Sequence, residues 1–298
     1  MPAQTEHYLS LPGDVHIGIT SSQELLLGEK EELLLGAYLP EVKVLDSPLR
    51  KVDMAIHHVE SADASLAVGN DEIEIHDKWN ESFPDDLPHL LYSVARTLWL
   101  RRGYFPTHAA CVGDATFTLM PGHSGVGKTT TALEAVSQYD QKLLSGNTTL
   151  IQFNEAGGMQ AIAGTKTMTL ETEDFERGEY DSVRSVQYRS RTAFELPANK
   201  QANGPQNVGR IALVRLSAGL DTWSTPSPLS ALHTLYPYFL DAEYADCIVA
   251  HGKAIYLGDT PAASRVKLTQ ELGYTLVSTP VNTGIGSAEF LAQKVSAR

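Results

Sequence analysis

Apolar and polar residues alternate through the N-terminal part of the chain, and the spacing changes after residue 85. Val15/Ile17/Ile19, Val42/Val44 and Val52/Met54/Ile56 recur at every second position. This period sets one face of a strand against a core and the other toward water. Leu66/Val68 and Ile73/Ile75 repeat the pattern on either side of Gly69-Asn70-Asp71. Those three residues tolerate the positive φ of a tight turn, so a hairpin is predicted there. Together these segments predict a small β-rich lobe over residues 1–85. Glu24-Leu25-Leu26-Leu27-Gly28 returns as Glu32-Leu33-Leu34-Leu35-Gly36, but eight residues is too short a period for a stacked repeat.

Beyond Phe83-Pro84 the apolar residues Leu87, Leu91, Val94, Ala95 and Leu98 fall on one helical face, behind the capping candidates Asp85 and Asp86. Residues 109–112 and 117–120 are predicted strands joined by a turn at Gly113-Asp114. A helix is predicted over 129–136, strands at Leu143-Leu144, Leu150-Ile151 and 211–216, and a helix over 229–240 that Pro237 interrupts. Ser287 is placed to cap a last helix running to Val295. Residues 199–207, rich in Asn, Gln, Gly and Pro, read as an exposed, mobile loop. Interleaved strands and helices predict an α/β domain over 86–298.

The 298 residues contain 42% hydrophobic and 20% charged positions, close to globular averages, so a buried core is expected. Thirty-six acidic against 23 basic residues give a formal charge of −13, which disfavours a nucleic-acid partner. Cys111 and Cys247 lack the spacing of a metal knuckle or a disulfide framework, as suits a reducing cytoplasm. The first residues lack a basic segment followed by an apolar run, and no apolar stretch reaches membrane-spanning length. A soluble cytoplasmic protein without a membrane partner is expected.

Chemistry concentrates in Gly122-His123-Ser124-Gly125-Val126-Gly127-Lys128-Thr129, which fits GxxxxGK[ST] between a predicted strand and a predicted helix. A random chain of this length carries the pattern about one time in a hundred, and the flanking elements make coincidence rarer still. Glycines let successive backbone N–H groups turn inward as an anion nest, and the helix that follows adds its positive end. Gly122, Ser124, Gly125, Val126, Gly127, Lys128, Thr129 and Thr130 are therefore the expected nucleotide contacts. Lys128 would reach the β- and γ-phosphates and Thr129 the Mg²⁺ that bridges them. A guanine-reading Asn-Lys-x-Asp is absent, since Asn199-Lys200 continues as Gln201-Ala202. Tyr238-Phe239-Leu240-Asp241 is a weak substitute for an apolar strand ending in a metal-binding Asp. The glycine spacing also fails the dinucleotide fingerprint.

Thr107-His108-Ala109-Ala110-Cys111-Val112, a short hairpin and the glycine loop together resemble the catalytic domain of HPr kinase/phosphorylase, over roughly residues 90 to 170. The resemblance implies a core like that of phosphoenolpyruvate carboxykinase with a mixed sheet, and ATP- and Mg²⁺-dependent transfer to a hydroxyl of a small molecule or peptide. It also points to a homo-oligomer. His108 matches the histidine of the strand before the loop. That family ends its next strand in a paired Asp-Asp, one carboxylate serving as base and the other helping to hold metal. Here Gly146-Asn147 takes that place. Asn147 can still contact a metal through its amide oxygen but cannot take a proton. Losing a general base costs about 10²- to 10⁴-fold in rate. Three outcomes follow: another base, a nucleophile that needs none, or nucleotide binding without transfer.

His108 is the first replacement to consider because imidazole titrates near neutrality. A histidine that only hydrogen-bonds its neighbours is the plainer role. Glu171, followed by Glu173 and Asp174, matches a further acidic metal contact in the family, and a solvated strand end is its plain alternative. Arg184, Arg189 and Arg191 bracket Tyr188 in a stretch able to fold over the nucleotide. His123, inside the loop, would shape its edge. A kinase is thus the leading expectation, followed by a catalytically idle ATP-binding regulator and then an interaction module without nucleotide.

Overall fold

The computed structural model describes residues 5–84, 86–154, 157–178, 180–240, 247–250, 253–256 and 262–297. It is a mixed α/β structure in which the six- and eight-stranded sheets mix parallel and antiparallel pairs. Among the described residues no helix is long and apolar enough to cross a membrane.

The predicted β-rich lobe forms a six-stranded sheet. Its strands are β1 (Thr5–Leu11), β2 (Val15–Ser21), β3 (Lys43–Leu45), β4 (Met54–Glu60), β5 (Ser65–Val68) and β6 (Glu72–Asp77), in the order β3-β1-β2-β4-β6-β5. The hairpin across Gly69-Asn70-Asp71 pairs Val68 with Ile73, in the register that the alternation requires. Helix α1 (Glu29–Leu35) takes up the second copy of the repeated leucine run, whereas the first copy lies outside any helix or strand. Identical local sequence therefore does not fix local structure here.

Helix α2 (Leu87–Arg101) starts where the periodicity changes. Asp86 occupies its cap position without a capping hydrogen bond from its side chain, and Asp85 lies outside the described residues. Leu91, Val94, Ala95 and Trp99 are fully buried in one core with Leu9, Ile17, Ile19 and Ile56 of the lobe sheet. Trp99 Nε1 also donates to the Pro12 carbonyl at 2.8 Å. The lobe and the first helix of the following domain thus share a single core, which fixes the lobe against the rest of the chain.

The central sheet contains β7 (Phe105–Gly113), β8 (Phe117–Pro121), β9 (Lys142–Ser145), β10 (Thr148–Phe153) and β11 (Met159–Gly164), followed later in the chain by three more strands. Helix α3 (Lys128–Gln138) leaves the loop after β8. A separate three-stranded sheet forms from β12 (Thr167–Glu171), β13 (Arg184–Tyr188) and β14 (Arg191–Glu195), with α4 (Thr172–Arg177) between the first two. The remaining elements are β15 (Gln206–Leu216), β16 (Thr222–Ser224), α5 (Pro228–Leu240), β17 (Cys247–Ala250), β18 (Lys253–Tyr256), α6 (Ala262–Ser278), β19 (Val281–Gly286) and α7 (Ala288–Ser296).

The path β11-β10-β7-β8-β15-β19-β16 carries an extra pairing of β11 with β15. The strands β7, β8, β15, β11 and β10 consequently close into a ring. All of β7 is buried: Phe105, Ala109 and Cys111 join a core with α5 and α6, and Ala110 and Val112 join one with α3 and α7. A strand covered on both faces reads as an unbroken apolar run rather than an alternation.

Two expectations are corrected. Helix α5 continues through Pro237, with Leu235 and Phe239 fully buried on either side of it; this packing outweighs the local cost of the proline. Residues 199–207 are not a free loop. Ala202 is buried and donates its backbone N–H to the Leu143 carbonyl at 2.8 Å, and β15 begins at Gln206. Ser287 caps α7 as expected, accepting from the Phe290 N–H at 3.2 Å.

Candidate functional site

The register of the central sheet places the candidate residues in a row. Ala109 pairs with Pro121 at the end of β8, and the next residue on each side follows, with the Gly122 N–H donating to the His108 carbonyl at 3.2 Å. On its other flank His108 faces Thr148, the first residue of β10. The start of the glycine loop, His108 and the Gly146-Asn147 turn between β9 and β10 therefore share one end of the sheet.

Gly127 caps α3 with φ +100°, in the left-handed region that glycine alone adopts freely. A Cβ added there would meet Leu216 Cγ at 2.2 Å, and the Leu216 N–H donates to the Val126 carbonyl at 2.9 Å. The end of β15 thus clamps the loop from outside while the loop backbone curls.

Lys128 is 5% exposed. Its Nζ donates to the Gly122 carbonyl at 2.6 Å, to the His123 carbonyl at 2.8 Å and to His108 Nε2 at 3.3 Å. His108 therefore accepts a proton bond from the ammonium group, a role that holds the lysine at the loop. Thr129 Oγ1 donates to the Gly146 carbonyl at 3.4 Å. His123 meets Tyr238 edge to face at 5.0 Å, at the border of the loop. Asp241, the last residue of the weak metal-binding run, lies outside the described residues.

These groups line a cavity of about 520 Å³. His108, Ser124, Gly125, Gly127, Lys128, Thr129, Thr130, Asn147 and Glu171 all reach it. Gly122 and Val126, also expected as nucleotide contacts, do not line it. Asp174 and Arg191 complete its rim, with Arg191 Nε 3.3 Å from Glu171 Oε1. Both side chains of that pair are about half exposed, so the pair is a weak tether rather than a stabilising feature. Arg184 turns elsewhere and forms a two-point pair with Glu195, at 3.0 Å for each contact. Among the described residues no group of three His, Cys, Asp or Glu side chains is arranged to hold a metal ion.

The Gly146-Asn147 turn is committed to packing. A Cβ on Gly146 would come within 2.6 Å of Met168 Cγ, so a bulkier residue needs Met168 to move. Asn147 Nδ2 donates to the Ala37 carbonyl of the lobe at 3.0 Å, and its backbone N–H donates to Thr165 Oγ1 at 2.9 Å. An aspartate could not make the first of these bonds.

Sequence reasoning missed Tyr38, His89 and Tyr92, which line the same cavity from the lobe and from α2. His89 meets the Tyr38 ring edge to face at 5.0 Å. Burial pulls the His89 pKa below its ordinary value, partly offset by the charge of Asp86. No spacing rule links these residues to the loop. The only signal was a histidine one residue after Pro88 in the first turn of a helix. Cys111 is fully buried and free, and burial pushes its thiol well above the usual range, which leaves it unreactive.

No protein-family model matches the chain, and no curated protein matches it either.

Proposed function

We propose that this protein is an ATP-dependent kinase that transfers the γ-phosphate to a hydroxyl. The observation that carries this reading is a GxxxxGK[ST] loop whose Lys128 and Thr129 line a cavity of about 520 Å³. Backbone N–H groups of the loop would hold the phosphates, Lys128 would turn from the loop carbonyls to the β- and γ-oxygens, and His108 would hold it in place. The Thr129 hydroxyl, the Asn147 amide oxygen and the carboxylates of Glu171 and Asp174 are oxygen donors of the kind Mg²⁺ accepts. Mg²⁺ bound with phosphates keeps several waters, so a small protein donor set suits it. When bound, it would neutralise phosphate charge. The β7-β8-loop-α3 unit within a mixed sheet also supports a core like that of phosphoenolpyruvate carboxykinase.

ADP release from ATP and a panel of hydroxyl acceptors tests the proposal, with Lys128→Ala as control. Acceptor-dependent release that vanishes in the variant is the expected result. Release independent of both acceptor and Lys128 would count against it.

A second reading, an ATP-binding regulator without transfer, is favoured by the packing of Gly146 against Met168 and the bond from Asn147 to Ala37, which put no carboxylate in that turn. In that case calorimetry would show ATP binding while no acceptor became phosphorylated.

A further inference from the structure

A smaller cavity of about 230 Å³ adjoins the phosphate-loop cavity. Ala37, Tyr38, His89, Thr169 and Arg191 line both, so the two share a wall. We infer that the smaller cavity is the acceptor site and takes a small hydroxy acid, its anionic group against Arg189 and Arg191 and its apolar body along Leu34 and Phe83. This assignment rests on the kinase reading for the transfer step, but not for binding of the acid.

Three observations carry it. The first is charge. The chain has 36 acidic and 23 basic residues, yet no Asp or Glu lines the smaller cavity, while Arg189 and Arg191 do, the latter also paired with Glu171 of the larger cavity. The rim of the larger cavity differs in carrying two carboxylates, Glu171 and Asp174, beside Arg191, and these would suit a metal ion better than an anionic acceptor. The second is the apolar remainder. Leu34, Phe83, Pro88 and Ala193 supply a water-poor surface on which a carboxylate alone would gain nothing, so the ligand must carry hydrocarbon.

The third is the backbone of Arg189. Tyr188 pairs with Arg191 across a two-residue turn, and Arg189 sits in that turn with φ +57°. Glycine or asparagine occupies such a position at the least cost. An arginine there bears a conformational penalty that a side-chain role at the cavity would offset. The guanidinium lies over the Tyr188 ring, 5.5 Å from its centre, which holds it at the cavity mouth.

The shared wall sets the path of transfer. With its anionic group at Arg189, the acceptor points its hydroxyl toward His89 and the loop. The hydroxyl proton passes to the His89 imidazole as the oxygen bonds the γ-phosphorus. The bond from that phosphorus to the bridging oxygen breaks, and its electron pair leaves with ADP. His89 then releases the proton to solvent.

The test uses the full chain with 3-phenyllactate, its neutral amide and ATP, each titrated by calorimetry into wild type, Arg189→Ala, Arg189→Lys and Lys128→Ala. The acid is expected to bind wild type at least about tenfold more tightly than the amide, because a charge-assisted pair is lost in the amide. Arg189→Ala should remove that preference, Arg189→Lys should restore part of it, and neither should change ATP affinity. Lys128→Ala should lose ATP and keep the acid. Arg189-dependent acid binding in a protein that fails to bind ATP would overturn the kinase reading and leave the acid site standing. ATP binding without any preference for acid over amide, or loss of ATP rather than acid in Arg189→Ala, would overturn the acceptor site and leave the nucleotide site intact.

Discussion

The two adjoining cavities would hold anions by different means. At the glycine loop the donors would be backbone N–H groups around Gly125 and Gly127, with one lysine, all within eight consecutive residues. In the smaller cavity the cations are side chains at a hairpin turn, and the walls come from distant parts of the chain: Leu34 to Tyr38, Phe83 with Pro88 and His89, and Thr169 with residues 188–193. The first is built by chain geometry and tolerates almost no change in backbone. The second is built by tertiary packing, so single side chains can change without loss of the cavity. Substitutions should therefore act on the loop cavity through conformation and on the smaller one through contacts.

The largest effect is expected for Gly127→Ala. Its φ of +100° is strained for any residue with a Cβ, and that atom would stand 2.2 Å from Leu216 Cγ. Either the loop or the end of β15 must shift. ATP affinity should fall at least about a hundredfold, and folding stability by about 1–3 kcal/mol, while binding of a small acid at Arg189 persists. Calorimetry and urea unfolding measure both. Undiminished ATP affinity would show that the curled backbone is not what holds phosphate.

A middle-sized effect is expected at Asn147, which lines the larger cavity and bonds to Ala37 of the shared wall. Asn147→Asp replaces the amide that donates to the Ala37 carbonyl with a carboxylate that faces the same oxygen. The expected loss is about 1–3 kcal/mol of stability, read from the urea midpoint. The substitution puts an acid where the resemblance to HPr kinase/phosphorylase expects one, so it also separates the two proposed functions. Unchanged stability with a gain in transfer would mean that the turn is a weakened catalytic pair and not a tether for the lobe.

The strand, glycine loop and helix around Gly122–Thr129 were legible because the motif is contiguous: glycine spacing, Lys128 and Thr129 occupy one segment, and the flanking strand and helix appear in the local pattern. The lobe strands were legible from alternation, although of β2 and β6 only β6 keeps it in its burial, with Ile73 and Ile75 buried and Glu72 and Glu74 exposed; in β2 His16 and Gly18 are buried along with Val15, Ile17 and Ile19. The closing of β11 onto β15 was not, because it joins residues some fifty positions apart and leaves no periodic trace. Tyr38 and His89 were missed likewise: each sits in an unremarkable local sequence, and only packing of the lobe against α2 brings them to the loop. Ala202 looked exposed by composition, yet one backbone bond to Leu143 holds it in the core.

The smallest effect expected is a pH dependence carried by His89 on the shared wall. Burial lowers its pKa from 6.5, so the folded chain resists protonation more than the unfolded chain does, although Asp86 opposes this. The unfolded state therefore binds more protons as the pH falls. The stability that comes from a neutral His89 is present above about pH 6.5 and is lost as the pH drops through that value. His89→Gln removes the titration while keeping a polar side chain of similar reach. Urea midpoints between pH 8 and pH 5.5 should fall more for wild type than for the variant, so that the gap between them changes in favour of the variant on acidification. A gap that moves the other way would mean that the charge of Asp86 outweighs burial. His89 would then carry a proton near neutrality, and it could not accept one from an acceptor hydroxyl at the boundary between the cavities.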